Sequence, residues 1–248
     1  MREEVRRDRQ GIIDLTLACL VCAILWGYCL PPPAEPQSAE SPPAEPIVYT
    51  PPKRGAPGGR EGAGTRGSKE PVSTLAVLAP KNHTGLTAQA QPVLYWYLSQ
   101  ETRHSVEVIL TAQQSVQPLL VIHLNPPLQP GIQRVRLADH NVHLVPGVLY
   151  RWSVALVPNA AQRSAALTTT GTIERIELPD ELRGQLRQSN TITSARLYAT
   201  AGLWYDTIVV LSELIDTRPQ DTALRQQRAA VLDQEGLAAA AAYDRRSK

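Results

Sequence analysis

Residues 144–156, LVPGVLYRWSVAL, constrain the fold of this 248-residue chain more than any other stretch. Pro146 presets its own φ and Gly147 tolerates positive φ, so the pair marks a tight turn. After it, Tyr150, Trp152, Val154 and Leu156 fall on one side, and Arg151, Ser153 and Ala155 on the other. That period of two predicts a β-strand with one buried face. A buried tyrosine needs a partner for its hydroxyl, so the turn has to supply one.

Similar runs recur across residues 72–178. Leu75, Val77 and Ala79 alternate until Pro80, and residues 81–85 read as a turn. Pro92 opens VLYWYL, with Leu94, Trp96 and Leu98 on one face and Val93, Tyr95 and Tyr97 on the other; Trp96 is assigned inward. Val106, Val108 and Leu110 make a third strand, and Leu120, Ile122 and Leu124 a fourth. Val135 and Leu137 mark a fifth, with Arg134 and Arg136 on its outer face. The opening stretch is the sixth, and residues 171–177 the seventh. Seven short strands separated by turns predict a Greek-key sandwich of fibronectin type III or immunoglobulin kind. The spacing Leu144-x-Pro146-Gly147-x-x-Tyr150-x-Trp152 resembles the entry to strand F of such sandwiches, where a tyrosine corner bonds back to the backbone.

Residues 179–248 read as helical, which makes the chain α+β by segments. Pro179-Asp180-Glu181 starts a first helix that ends near Asn190. Thr193 or Ser194 then caps a second, in which Leu197, Ala201, Trp204, Ile208, Leu211 and Ile215 form one apolar stripe up to Pro219. Asp221 or Thr222 caps a third, with Leu224, Ala230, Val231 and Leu237 on its apolar side and Gly236 as a breaker. The last two resemble a tetratricopeptide-type hairpin, too short for a solenoid, so it has to pack on the sandwich, another copy or a partner.

Residues 1–30 are a membrane anchor or a signal peptide. Arg2, Arg6, Arg7 and Arg9 precede an apolar run over residues 15–30 that holds all three cysteines, Cys19, Cys22 and Cys29. The run is short for a span, but no small-x-small cleavage site follows it, which favours an uncleaved anchor. The arginines would stay cytoplasmic, placing the remainder on the periplasmic side of an inner membrane; secretion after cleavage is the alternative. Residues 31–71 are rich in Pro and Gly and are expected to be a disordered spacer, with Arg54, Arg60 and Arg66 free to lie against the sandwich or a partner.

Several motifs together resemble the bacterial family catalogued as domain of unknown function 928. They are Gly62-Ala63-Gly64-Thr65-Arg66-Gly67, Leu78-Ala79-Pro80 before Gly85-Leu86-Thr87, and Pro92 before Tyr95-Trp96-Tyr97. The opening stretch and Gly202-Leu203-Trp204-Tyr205-Asp206 complete the set, which spans residues 49–237. The resemblance implies an exported bacterial protein and supplies no catalytic residues to carry over.

Chemistry is sparse in the pattern. The net charge of +2, with both signs mixed, does not make the basic stripe of a nucleic-acid binder. His140 and His143 beside Asp139 are too few for a metal site, which needs three or four converging ligands. Ser164 lacks elbow glycines, Asp206 is expected to pair or cap, and Glu174 and Glu177 have no evident partner. No enzyme activity, metal or cofactor is expected. The sharper feature is a surface: Tyr95 and Tyr97 beside Arg134 and Arg136, with cation–π contacts worth about 0.5–1 kcal/mol when exposed and a hot-spot composition. The competing reading, which is preferred, has the helical tail cover these tyrosines. The expected function is a non-enzymatic adaptor that docks another envelope protein. A carbohydrate or small-ligand binding module is the second reading.

Overall fold

The computed structural model describes residues 45–52, 59–61, 74–158 and 166–247. Within them the chain forms strands β1 (Leu75–Val77), β2 (Gly85–Thr87), β3 (Val93–Leu98), β4 (Ser105–Ala112), β5 (Leu120–Leu124), β6 (Gly131–Arg136), β7 (Leu149–Val157) and β8 (Leu167–Arg175). A 3₁₀ turn at Leu137–His140 follows β6. Helices α1 (Asp180–Gln188), α2 (Thr191–Thr200), α3 (Trp204–Thr217), α4 (Thr222–Gln234) and α5 (Ala238–Arg246) complete the tail. The architecture is mixed α+β, with a three-stranded sheet β1-β3-β6 and a five-stranded sheet β2-β8-β7-β4-β5.

The turn of residues 144–148 forms as its chemistry requires. Gly147 sits at φ +74°, and its N–H donates to the Arg175 carbonyl at 2.8 Å. Tyr150 is buried, and the Val145 N–H donates to its hydroxyl at 2.9 Å. That bond closes the expected corner. Trp96, Trp152 and Leu110 join residues from both sheets and from α2 to α5 in a single apolar cluster. Opposed apolar faces of strands, each alternating with a period of two, build that cluster.

Four expectations change. Gly85, the last residue of the expected turn, instead opens β2, which pairs in parallel with β8, Gly85 opposite Ile173. A three-residue strand is too short to show a period. The long second helix is two helices, because Gly202 at φ +77° breaks the chain between α2 and α3. A side chain there would also meet the Thr50 carbonyl oxygen at 3.0 Å. Asn190, not Thr193 or Ser194, caps α2, accepting from the Thr193 N–H at 2.9 Å. Gly236 does end α4 at positive φ, but the alanine-rich residues after it form α5, so the tail is five helices and not a hairpin following a single helix.

Residues 45–52, within the stretch expected to be a spacer, pack on the helices. Ile47 and Tyr49 are buried. The Ile47 N–H donates to Gln227 Oε1 at 2.7 Å, the Tyr49 N–H to Gln234 Oε1 at 2.8 Å, and the Thr50 N–H to the Ala199 carbonyl at 3.0 Å. Arg60 lies against the sheets, donating to the Ala79 carbonyl at 3.2 Å; Arg54 and Arg66 lie outside the described residues. So does the apolar run of residues 15–30, and among the described residues no helix is long and apolar enough to cross a membrane.

Candidate functional site

The helical layer meets the sheets along α3, and the two ends of that helix do it differently. At its start, Trp204 Nε1 donates to the Leu78 carbonyl at 2.8 Å. Tyr205 accepts from Trp152 Nε1 at 2.8 Å and donates to the Thr172 carbonyl at 2.9 Å. Burial holds the Tyr205 hydroxyl well above its ordinary range, so it stays a neutral donor. The next residue, Asp206, accepts from the Ala88 N–H at 3.1 Å and from Gln89 Nε2 at 3.4 Å. Burial pushes its carboxyl up to about 6, against those hydrogen bonds.

At the other end of α3 the seam opens into a cavity of about 600 Å³. Its floor is β3 and β6, whose antiparallel register sets Tyr95 opposite Arg134 and Val93 opposite Arg136. Helix α3 brings Ser212 and Asp216, α4 brings Arg225 and Arg228, and α5 brings Tyr243. Arg228 is locked: its Nε and Nη2 donate to the Asp244 carboxylate at 2.7 and 2.6 Å, and Nη1 donates to Ser212 Oγ at 2.8 Å. Asp244 is fully buried, so each charge offsets the other's desolvation. Arg134 pairs with Asp216 at the rim.

This arrangement accounts for the residues singled out from the sequence. Tyr95 and Tyr97 do neighbour Arg134 and Arg136, but they are only 3% and 4% exposed, and Trp96 is buried on the other face. Helices α3 and α5 cover the tyrosines, with Tyr243 tilted against Tyr97 at 5.8 Å between ring centroids. The four residues therefore do not form an open interaction face; the covering tail does what the preferred reading expected. Arg136 instead reaches Glu213 of α3 at 3.8 Å. Pro146, Gly147, Tyr150, Trp152 and Trp204 are where their structural roles need them, in the turn, the corner and the joint of α3.

Asp139, His140 and His143 are exposed, and among the described residues no group of three His, Cys, Asp or Glu side chains is placed to hold a metal ion. Ser164 lies outside the described residues. Glu177 pairs with Arg175 at 3.7 Å. Sequence reasoning missed Ser212, Arg225, Arg228, Tyr243 and Asp244. The one signal available was VLYWYL, an unbroken apolar run, which marks a strand buried on both faces.

The apolar side chains left exposed are concentrated elsewhere. Val116, Leu119 and Val121, at 99%, 48% and 45% exposure, lie on or just before β5. That strand ends the five-stranded sheet and pairs only with β4 among the described strands.

A family model described as Domain of Unknown Function (DUF928) matches residues 61–244. No curated protein matches. Among solved structures, a crystal structure of an engineered protein is similar at 13% identity and a TM-score of 0.29, over 42% of this chain and 20% of that one. That likeness is too slight to carry an argument.

Proposed function

We propose, for a chain that belongs to the family described as Domain of Unknown Function (DUF928), a non-enzymatic, membrane-tethered adaptor of the bacterial cell envelope that docks an extended segment of another envelope protein on the free edge of β5. One observation carries the docking reading: three of the five large apolar side chains exposed among the described residues lie within six residues of each other at this edge. An uncovered edge presents unpaired backbone N–H and C=O groups, and proteins commonly blunt such edges with charge, proline or a covering element. Here the outward side chains are Leu119, just before the strand, and Val121 and His123 on it, an apolar pair beside one imidazole that suits strand addition by a partner. The tethering half of the proposal rests on hydropathy: an apolar N-terminal run as a single-pass inner-membrane helix, with the body on the periplasmic side, or a secreted body if the run is cleaved.

The finer fold belongs to the same reading. The orders β1-β3-β6 and β5-β4-β7-β8, with the Tyr150 corner, suit a fibronectin type III sandwich to which β2 is added. Helices α3 and α4 are its tetratricopeptide-like hairpin, here turned inward onto the sheet. The test is site-specific photo-crosslinking of the full-length protein in its native membrane. Probes at Val116 and Val121 are expected to capture the same envelope protein, and Leu119→Lys with Val121→Lys to abolish the capture while leaving the melting temperature unchanged. Equal capture from probes at Arg183 on α1, or capture that survives the lysines, refutes docking at this edge.

A small-ligand binding module is the second reading, favoured by the polar cavity under α3. A sugar platform of outward tyrosines is no part of it, because Tyr95 and Tyr97 are covered.

A further inference from the structure

We propose that the cavity between β3, β6 and helices α3 to α5 binds a small anionic molecule through an oxyanion group, carboxylate or phosphate, held by Arg225 and the Tyr95 hydroxyl. This gives a ligand class to the second reading above and is independent of docking at β5.

The charges in the cavity do not cancel. Arg134 is matched by Asp216 and Arg228 by Asp244. Arg225 has no carboxylate in ion-pair reach among the described residues. Its Nη2 reaches the Pro219 carbonyl at 3.4 Å, and its buried Nε has no acceptor. Tyr95 lies across the cavity, 3% exposed, with Ser212 and Arg134 beside its hydroxyl but neither in full hydrogen-bond geometry. Folded proteins leave few buried polar atoms unpaired, and each needs a physical account. Among the described residues four side-chain atoms are left so, and two of them, Tyr95 Oη and Arg225 Nε, belong to residues that line this one cavity.

The chemistry of those groups selects the ligand. Arginine offers donors in a planar fork and no acceptor, and the tyrosine hydroxyl can donate as well. An oxyanion answers both and neutralises the unmatched charge; a guanidinium takes carboxylate or phosphate in two parallel bonds. Water can fill a polar space and satisfy the donors, but it leaves the charge of Arg225 uncompensated. A volume of about 600 Å³ lies within the ~300–1,000 Å³ of small-molecule sites. The Tyr243 ring and Ile215 supply apolar wall for the rest of the molecule. A ligand so placed touches sheet and helices together, so binding would raise the unfolding temperature by mass action.

The experiment is calorimetric titration and thermal unfolding of the full-length protein in detergent, at fixed ionic strength, with orthophosphate, D-glucuronate and D-glucose as probes. One or both anions are expected to bind saturably and raise the melting temperature, and which of them binds tells phosphate from carboxylate. Glucose is expected to do neither. Arg225→Gln should weaken the Kd by about tenfold or more, the loss of one charge-assisted hydrogen bond. Tyr95→Phe should weaken it severalfold while leaving the unliganded melting temperature unchanged, because its hydroxyl completes no hydrogen bond in the unliganded protein. Arg183→Gln, on exposed α1, should change nothing. Anion binding that survives both cavity substitutions overturns the site. Saturable binding of glucose that these substitutions remove overturns the anion class and keeps a small-ligand module. No saturable binding of any probe overturns both.

Discussion

The two joints of α3 with the sheets are built from the same kinds of residue and differ in how completely they are satisfied. At the first, Trp152, Tyr205 and the Thr172 carbonyl form a neutral chain in which every donor has its acceptor. At the second, Tyr95 has an idle hydroxyl, and charged groups are paired at two places and unmatched at a third. The Trp204 anchor beside the first joint is fully buried, and the cavity that reaches Asp206 there is about 370 Å³, whereas the second joint opens into one of about 600 Å³. Full satisfaction is what fixes a fold; a polar pocket with spare donors adds nothing to folding and is suited to hold something.

The sharpest way to break this contrast is at the ion pair that walls the second joint. Asp244→Ala leaves Arg228 buried and uncompensated and should cost about 3–5 kcal/mol, read by chemical denaturation. A loss below about 1 kcal/mol would mean that the pair is solvated and the cavity wall loose. Next is the pH response of the first joint. Burial raises the Asp206 carboxyl from its ordinary 3.8 to about 6, so the folded state holds this proton more tightly than the unfolded chain. The linked stability is therefore fully present below about pH 4 and is lost as pH rises through about 6, a swing on the order of 3 kcal/mol. Asp206→Asn should flatten that slope, and an unaltered pH profile would assign it to other groups. The smallest effect is Tyr205→Phe, which orphans Trp152 Nε1 and the Thr172 carbonyl and should cost about 1–3 kcal/mol. If Tyr205→Phe proves neutral, the two joints are not distinguished by satisfaction and the comparison fails.

What could be read from the chain was what short periods encode. The Pro146-Gly147 turn, the alternation of β7 and the Tyr150 corner depend on residues within about a dozen positions, and each formed. The break at Gly202 was hidden because apolar residues recur at helical spacing through it in the sequence, although the buried face changes there: α2 buries Ala195 and Ala199 rather than Leu197 and Ala201, and α3 buries Trp204, Ile208, Leu211 and Ile215. Helix α5, whose first five of nine residues are alanine, has no apolar stripe to detect. The cavity had no local signal beyond the unbroken apolar run of β3. Tyr95 and Arg225 are brought together by a register between strands and a fold of three helices, and neither leaves a spacing in the sequence. Tyr95 and Tyr97 showed the same limit from the other side. Alternation within a strand says which residues share a face; it does not say whether a later part of the chain will cover that face.

The strap of residues 45–52 has a mechanical consequence. Its backbone is held by side-chain amides of α4, with Ile47 bonded to Gln227 and Tyr49 to Gln234. Tension applied to the chain from its N-terminal side thus loads α4 and α2, which Glu45 reaches through Gln227 and Arg196, before β1. The strap is held at two points about two turns apart on α4, so a load directed along it is borne by them in parallel, as shear along the helix, rather than peeling the sandwich strand by strand. Because α4 also walls the cavity, a pull on the strap and an occupant of the cavity would act on the same helix.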